Sequence, residues 1–106
     1  MTISFQSLGL SDEHTQHLES LGFTEPTEIQ AQAIPLMLGG RDLVAQSQTG
    51  TGKTAAYSLP ILEQIDRRPG IQAIILTPTR ELAQQVAEAM KDFTNQRRLF
   101  VLTVYG

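Results

Sequence analysis

Three short apolar runs, at 42–46, 72–76 and 99–104, are separated by two stretches of helical periodicity, and this alternation constrains the chain most. The run at 72–76 reads QAIIL and that at 99–104 reads LFVLTV. Between the first two, from Gly52 to about Ile65, Ala55, Leu59 and Leu62 fall on one helical face, with Pro60 an awkward interior residue that bends it. Between the last two, from Arg80 to about Phe93, Leu82, Val86, Ala89, Met90 and Phe93 recur at helical spacing. Strands this apolar, alternating with helices, predict an α/β fold: a parallel sheet with flanking helices on both faces.

The first forty residues read as helical. Ser11 is placed to cap a helix running to about Leu21, with Leu18 and Leu21 on one face and Gly22 as its stop. Pro26 forces an extended approach to Thr27, which caps a second helix beginning at Glu28. That helix carries Ile29, Ala33, Ile34 and Leu38; Pro35 is expected to kink or restart it and Gly39-Gly40 to end it.

At 106 residues the chain is long enough for at most one domain. Its 41% apolar and 18% charged content suits a soluble globular protein. It has no cysteine, so disulfides and thiolate metal sites are excluded. No apolar run approaches the ~18 residues of a membrane span and the N-terminus lacks the basic region of a secretory signal, so a cytoplasmic location is expected. A net charge of −3 argues against a protein that coats nucleic acid through bulk electrostatics, but leaves room for nucleic acid in a local groove. The pairs Arg67-Arg68 and Arg97-Arg98 read as solvated surface.

Residues 47–54 read SQTGTGKT and link the first apolar run to the helix after it. A glycine-rich strand-to-helix link lets backbone N–H groups close on phosphate oxygens, and the helix start adds about half a positive charge. In the pattern G-x-x-x-x-G-K-[ST], Lys53 is placed to reach the outer phosphates and Thr54 to put its hydroxyl on Mg²⁺. Ser47 stands where the strict pattern has its first glycine; this is harmless if its backbone keeps a negative φ. The bland alternative is a flexible turn with a solvated lysine.

Thr27 and Gln30 form the T-x-x-Q of a capping box, which by itself explains Gln30. A glutamine amide also presents a donor beside an acceptor, matching the N6/N7 edge of adenine. Phe23 is either ordinary core or a stacking surface for that base. In PTREL, residues 78–82, Pro78 follows a run, Thr79 caps a helix and Glu81 favours its dipole. Only Arg80 is left without a structural reason, and an arginine at a helix N-terminus suits an anion.

These segments together resemble the DEAD-box RNA helicases. GFTEPTEIQ, 22–30, is similar to their Q motif, and AQSQTGTGKT, 45–54, to their ATP-binding motif, where a non-glycine at the Ser47 position is normal. PTRELAQQ, 78–85, resembles their third motif; Phe5 precedes Gly22 at the spacing of the family's isolated aromatic; and VYG at 104–106 looks like the start of a glycine doublet. The resemblance covers essentially the whole chain. It implies the N-terminal portion of a RecA-like P-loop NTPase domain over 1–106, incomplete, with the Q-motif segment at 3–31. It implies an ATP-dependent RNA helicase with ATP and Mg²⁺ as cofactors and RNA as partner. Gln30 and Phe23 would hold adenine with Phe5 in support. Ser47, Gln48, Thr49, Gly50, Thr51, Gly52, Lys53 and Thr54 would wrap the phosphates, Lys53 being the catalytic lysine. Pro78, Thr79, Arg80 and Gly106 would grip the RNA backbone without reading its sequence.

No DEAD tetrapeptide is present in the 106 residues. The family's Mg²⁺-holding acid, its water-orienting glutamate, its SAT motif and its second domain are likewise not among them. The expectation is therefore a fragment that is inactive alone, with a phosphate-loop strand left with open edges. The competing readings are a non-catalytic nucleotide- or RNA-binding module and another P-loop ATPase of nucleic-acid metabolism.

Overall fold

The computed structural model describes residues 3–46, 52–66, 70–94 and 101–104. A short 3-10 turn, Gln6–Leu8, precedes four helices: α1 (Asp12–Ser20), α2 (Glu28–Leu38), α3 (Lys53–Gln64) and α4 (Arg80–Phe93).

Local chemistry sets these boundaries. The Ser11, Thr27 and Thr79 hydroxyls accept from the backbone N–H groups of His14, Gln30 and Leu82 in the first turns of α1, α2 and α4. Acidic residues follow each cap: Asp12 and Glu13, Glu28, and Glu81. Helix α1 ends in a Schellman motif. Gly22 takes the left-handed conformation at φ 94°, its N–H donates to Glu19 O, and the Phe23 N–H donates to Leu18 O at 2.8 Å. That motif fixes where the backbone of Phe23 leaves the helix.

Helix α2 is one helix through Pro35, not the kinked or restarted element expected from the proline. Pro35 lies on the exposed side, where the carbonyl that loses its N–H partner can turn to water, and the buried Ala33 and Ile34 hold the other side. Helix α3 likewise runs through Pro60, which is itself buried.

The core joins Phe5, Leu10, Leu18, Ile34, Ala55, Leu59, Leu62, Met90 and Phe93. Helix α3 lies at its centre, packed on α2 and on α4, while α1 touches α4. The α3 face expected from the sequence is buried in full. Of the others, Leu21 and Leu82 are exposed instead, and Ala87 is buried in α4.

The expected parallel sheet is not formed among the described residues, where no strand or bridge occurs. The described residues of the three apolar runs form no ladder with one another. In 74–76 and 101–104, though not in the uniformly exposed 42–46, exposure nevertheless alternates. Ile75 and Val101 pack against the core, whereas Ile74, Leu76, Leu102 and Val104 face outward, Leu76 at 90% exposure. Val44, in the first run, is 97% exposed. Parallel strands are stable when both sheet faces are covered, and here only the helix-facing side is. Among the described residues the fold is thus a packed helical core, against which the second and third runs lie through Ile75 and Val101. Residues 99–100 of the third run and the pairs Arg67-Arg68 and Arg97-Arg98 lie outside the described residues.

Candidate nucleotide site

The capping box of α2 is complete. The Thr27 N–H donates to Gln30 Oε1 at 2.9 Å, and the Gln30 N–H donates to Thr27 Oγ1 at 3.4 Å. Gln30 does more than close its own helix. Its Nε2 donates to the carbonyl of Gly52 at 3.2 Å, reaching the N-cap residue of α3. The side chain is 2% exposed, so this amide is built into the junction of the two helices. An amide has two lone pairs and two N–H groups; these bonds use one of each, leaving the chemistry for one acceptor and one donor contact more.

Gly52 is suited to this place for two reasons. Its φ is 86°, in the left-handed region. A Cβ there would also lie 2.4 Å from Gln30 Nε2 and 3.2 Å from Thr27 Oγ1. Close approach of α2 to the start of α3 therefore demands glycine.

Helix α3 differs from the other three at its start. It has no side-chain cap and no acid in its first turn, and its first two residues are Lys53, exposed, and Thr54, half-buried. The positive end of the helix is left for an anion, with an ammonium and a hydroxyl beside it. Ser47, Gln48, Thr49, Gly50 and Thr51, the rest of the expected phosphate loop, lie outside the described residues, as does Gly106.

The two aromatic residues expected near a base occupy different settings. Phe23 is 37% exposed and meets Phe93 edge-on, with ring centroids 5.6 Å apart and planes at 67°. Phe5 is 2% exposed and shares the core with Leu18, Ile34 and Phe93. Any support it lends a base at this site runs through packing.

Pro78, Thr79 and Arg80 stand exposed at the start of α4. Thr79 Oγ1 accepts from the Leu82 N–H at 3.2 Å, and Thr77 Oγ1 donates to Thr79 O at 3.0 Å. The segment is thus an ordered helix start, as its sequence suggests. Hydrogen bonds bring Gln30, Thr27 and Gly52 together in one group.

One polar cluster escaped the sequence reading. His14, 3% exposed on α1, places Nδ1 3.0 Å from Glu63 Oε1 on α3, and the Ser11 N–H donates to the same carboxylate. Burial pushes the Glu63 carboxyl up, but the Ser11 N–H and His14 more than offset it and hold the group below its ordinary value. Forty-nine positions separate His14 from Glu63, so no local pattern announces the pair. Among the described residues no cluster of metal-binding side chains occurs, and no helix is long and apolar enough to cross a membrane.

Residues 27–106 match the model of the DEAD/DEAH box helicase family. The whole chain is 63% identical to RNA helicase CrhR of Synechocystis sp., of which it spans 22%. Among solved structures it resembles a DEAD box protein from the hyperthermophile Methanococcus jannaschii, with a TM-score of 0.92 and 43% identity over 97% of this chain and 29% of that one. It also resembles Dbp5 of S. cerevisiae bound to RNA and ADP BeF3, with a TM-score of 0.80 and 42% identity over 86% of this chain and 24% of that one. The chain thus spans between a fifth and a third of the length of these relatives.

Proposed function

Because the chain belongs to the DEAD/DEAH box helicase family, we propose that it is the nucleotide-binding start of an ATP-dependent RNA helicase, the N-terminal portion of a RecA-like domain. The observation that carries this reading is the hydrogen bond from Gln30 to the Gly52 carbonyl. It pins the Q-motif-like helix to Gly52, within TGTGKT itself, so a base recognised by one and a phosphate held by the other would belong to a single ligand.

The residues fit Mg·ATP. The uncapped start of α3, with Lys53 and Thr54 in its first turn, suits a polyphosphate. Lys53 binds the outer phosphates and Thr54 supplies a hydroxyl to Mg²⁺, with the backbone of Ser47, Gln48, Thr49, Gly50, Thr51 and Gly52 around the phosphate chain. Gln30 offers adenine its remaining donor and acceptor, Phe23 stacks on the purine face, and Phe5 supports that ring from the core. Bound ATP supplies the phosphoanhydride whose hydrolysis drives strand separation.

Pro78, Thr79, Arg80 and Gly106 contact RNA phosphates and sugars, which position a strand without reading its sequence. The RNA and ADP BeF3 bound by Dbp5 support pairing these two ligands on one protein.

The test is RNA-stimulated ATP hydrolysis by the complete polypeptide. Turnover that prefers ATP to GTP and disappears on Lys53→Ala is expected. Equal use of ATP and GTP would point to another P-loop ATPase, and turnover unaffected by Lys53→Ala would sink the phosphate-loop reading.

A further inference from the structure

Phe23 projects from the loop after α1, and its backbone is held by the hydrogen bond to Leu18 O. Its ring is more than a third exposed, so its own burial does not determine its orientation. Phe93 supplies what burial does not. It is the last residue of α4, 6% exposed and packed in the core, and it meets Phe23 edge-on. A second contact holds the same end of α4 to the last turn of α1, just before that loop: His17 Nε2 lies 2.6 Å from the carbonyl oxygen of Asp92, to which it donates. Two neighbouring residues of α4 thus bind two points on the α1–Phe23 segment.

We propose that Phe93 is a positioning residue for the nucleotide base. Its buried ring sets the orientation of the Phe23 ring, and the His17–Asp92 hydrogen bond holds α4 at the separation that this edge-on pair requires. The inference rests on the reading of Phe23 as the adenine-stacking surface. An edge-to-face pair has a defined geometry, so the fixed ring dictates the tilt of the exposed one. A base arriving at Phe23 then meets a face already aligned, without the loss of rotamer freedom that a loose ring would suffer.

The experiment is a double-mutant cycle on Mg·ATP affinity, by calorimetric titration of the complete polypeptide, with the thermal midpoint of each variant alongside. Phe23→Ala is expected to weaken binding roughly 10-fold, the order of one base–aromatic stack. Phe93→Leu is expected to weaken it about 3-fold, the order of one aromatic pair, and to have almost no effect when Phe23 is already alanine. Full affinity in Phe23→Ala would overturn the stacking reading and this inference with it. A loss in Phe23→Ala but none in Phe93→Leu would overturn the positioning role alone. An equal loss from Phe93→Leu in both backgrounds would also overturn it, because Phe93 would then act through the core. If Phe93→Leu does not fold, His17→Ala takes its place in the same cycle, with the same three outcomes.

Discussion

The side-chain amide of Gln30 donates to the backbone carbonyl of Gly52 at 3.2 Å, tying the first turn of α2 to the residue that opens α3. Gln30 is thus a cap within its own helix and a tether between two helices. Substitutions that separate these duties give the sharpest tests of the site.

Gln30→Glu keeps an oxygen to accept from the Thr27 N–H but places a second oxygen against the Gly52 carbonyl. Helix α2 should survive while the tether is lost. The expected outcome is little change in helical circular dichroism, with weaker Mg·ATP binding and a smaller preference for ATP over GTP. Gln30→Ala, by contrast, should also cost about 1 kcal/mol of stability through loss of the side-chain acceptor for the Thr27 N–H, while the Thr27 hydroxyl still caps the helix.

Gly52→Ala puts a Cβ 2.4 Å from Gln30 Nε2 at a φ of 86°. The left-handed backbone alone costs roughly 1–2 kcal/mol for a residue with a Cβ, and Gln30 must also move. A lower thermal midpoint together with lost ATP affinity is expected. Adding Gln30→Ala should recover part of the stability, since it removes the clash but not the backbone strain, and none of the affinity.

Lys53 is exposed at the start of α3 and is not part of the buried core. Lys53→Ala should therefore change stability by less than about 0.5 kcal/mol, while Mg·ATP affinity in the complete polypeptide falls at least about 10-fold, as expected for a lost charge-assisted phosphate contact. Equilibrium unfolding and titration on the same sample separate the two effects.

Glu63 makes stability depend on acid. Its carboxyl is held below the ordinary 4.5, so the folded state favours the ionised form. The contribution is complete above about pH 4.5, the unfolded value, and is lost as pH falls through the lowered folded value. Glu63→Gln, which cannot ionise, should flatten stability against pH in that acid range. Urea unfolding at a series of acid pH values measures the slope.

The 106-residue chain by itself should show no RNA-stimulated ATP hydrolysis. It should also bind a hydrophobic dye, because Val44, Leu76, Leu102 and Val104 stand with at least four-fifths of their surface in water. A steady-state assay and dye fluorescence check these outcomes; turnover comparable to a complete helicase would refute the assignment of the chemistry.

What the sequence determined by itself was local. Ser11, Thr27 and Thr79 located three helix starts because a hydroxyl cap and the N–H it binds lie three residues apart. Gly22 and Gly39 marked helix ends for a similar short-range reason. Tertiary structure alone decided that Gln30 reaches Gly52, that His14 meets Glu63 and that Phe93 braces Phe23. Each of these joins residues far apart along the chain, whose meeting depends on how the helices pack. It also decided that Phe5 is core and that Pro35 leaves α2 whole, since burial on one side of a helix outweighed the loss of one backbone hydrogen bond on the other. The apolar runs were legible as candidate strands from their continuous apolar character between helices. Their pairing was not, because a sheet depends on neighbouring strands and a cover for its second face, neither of which a run's own residues contain.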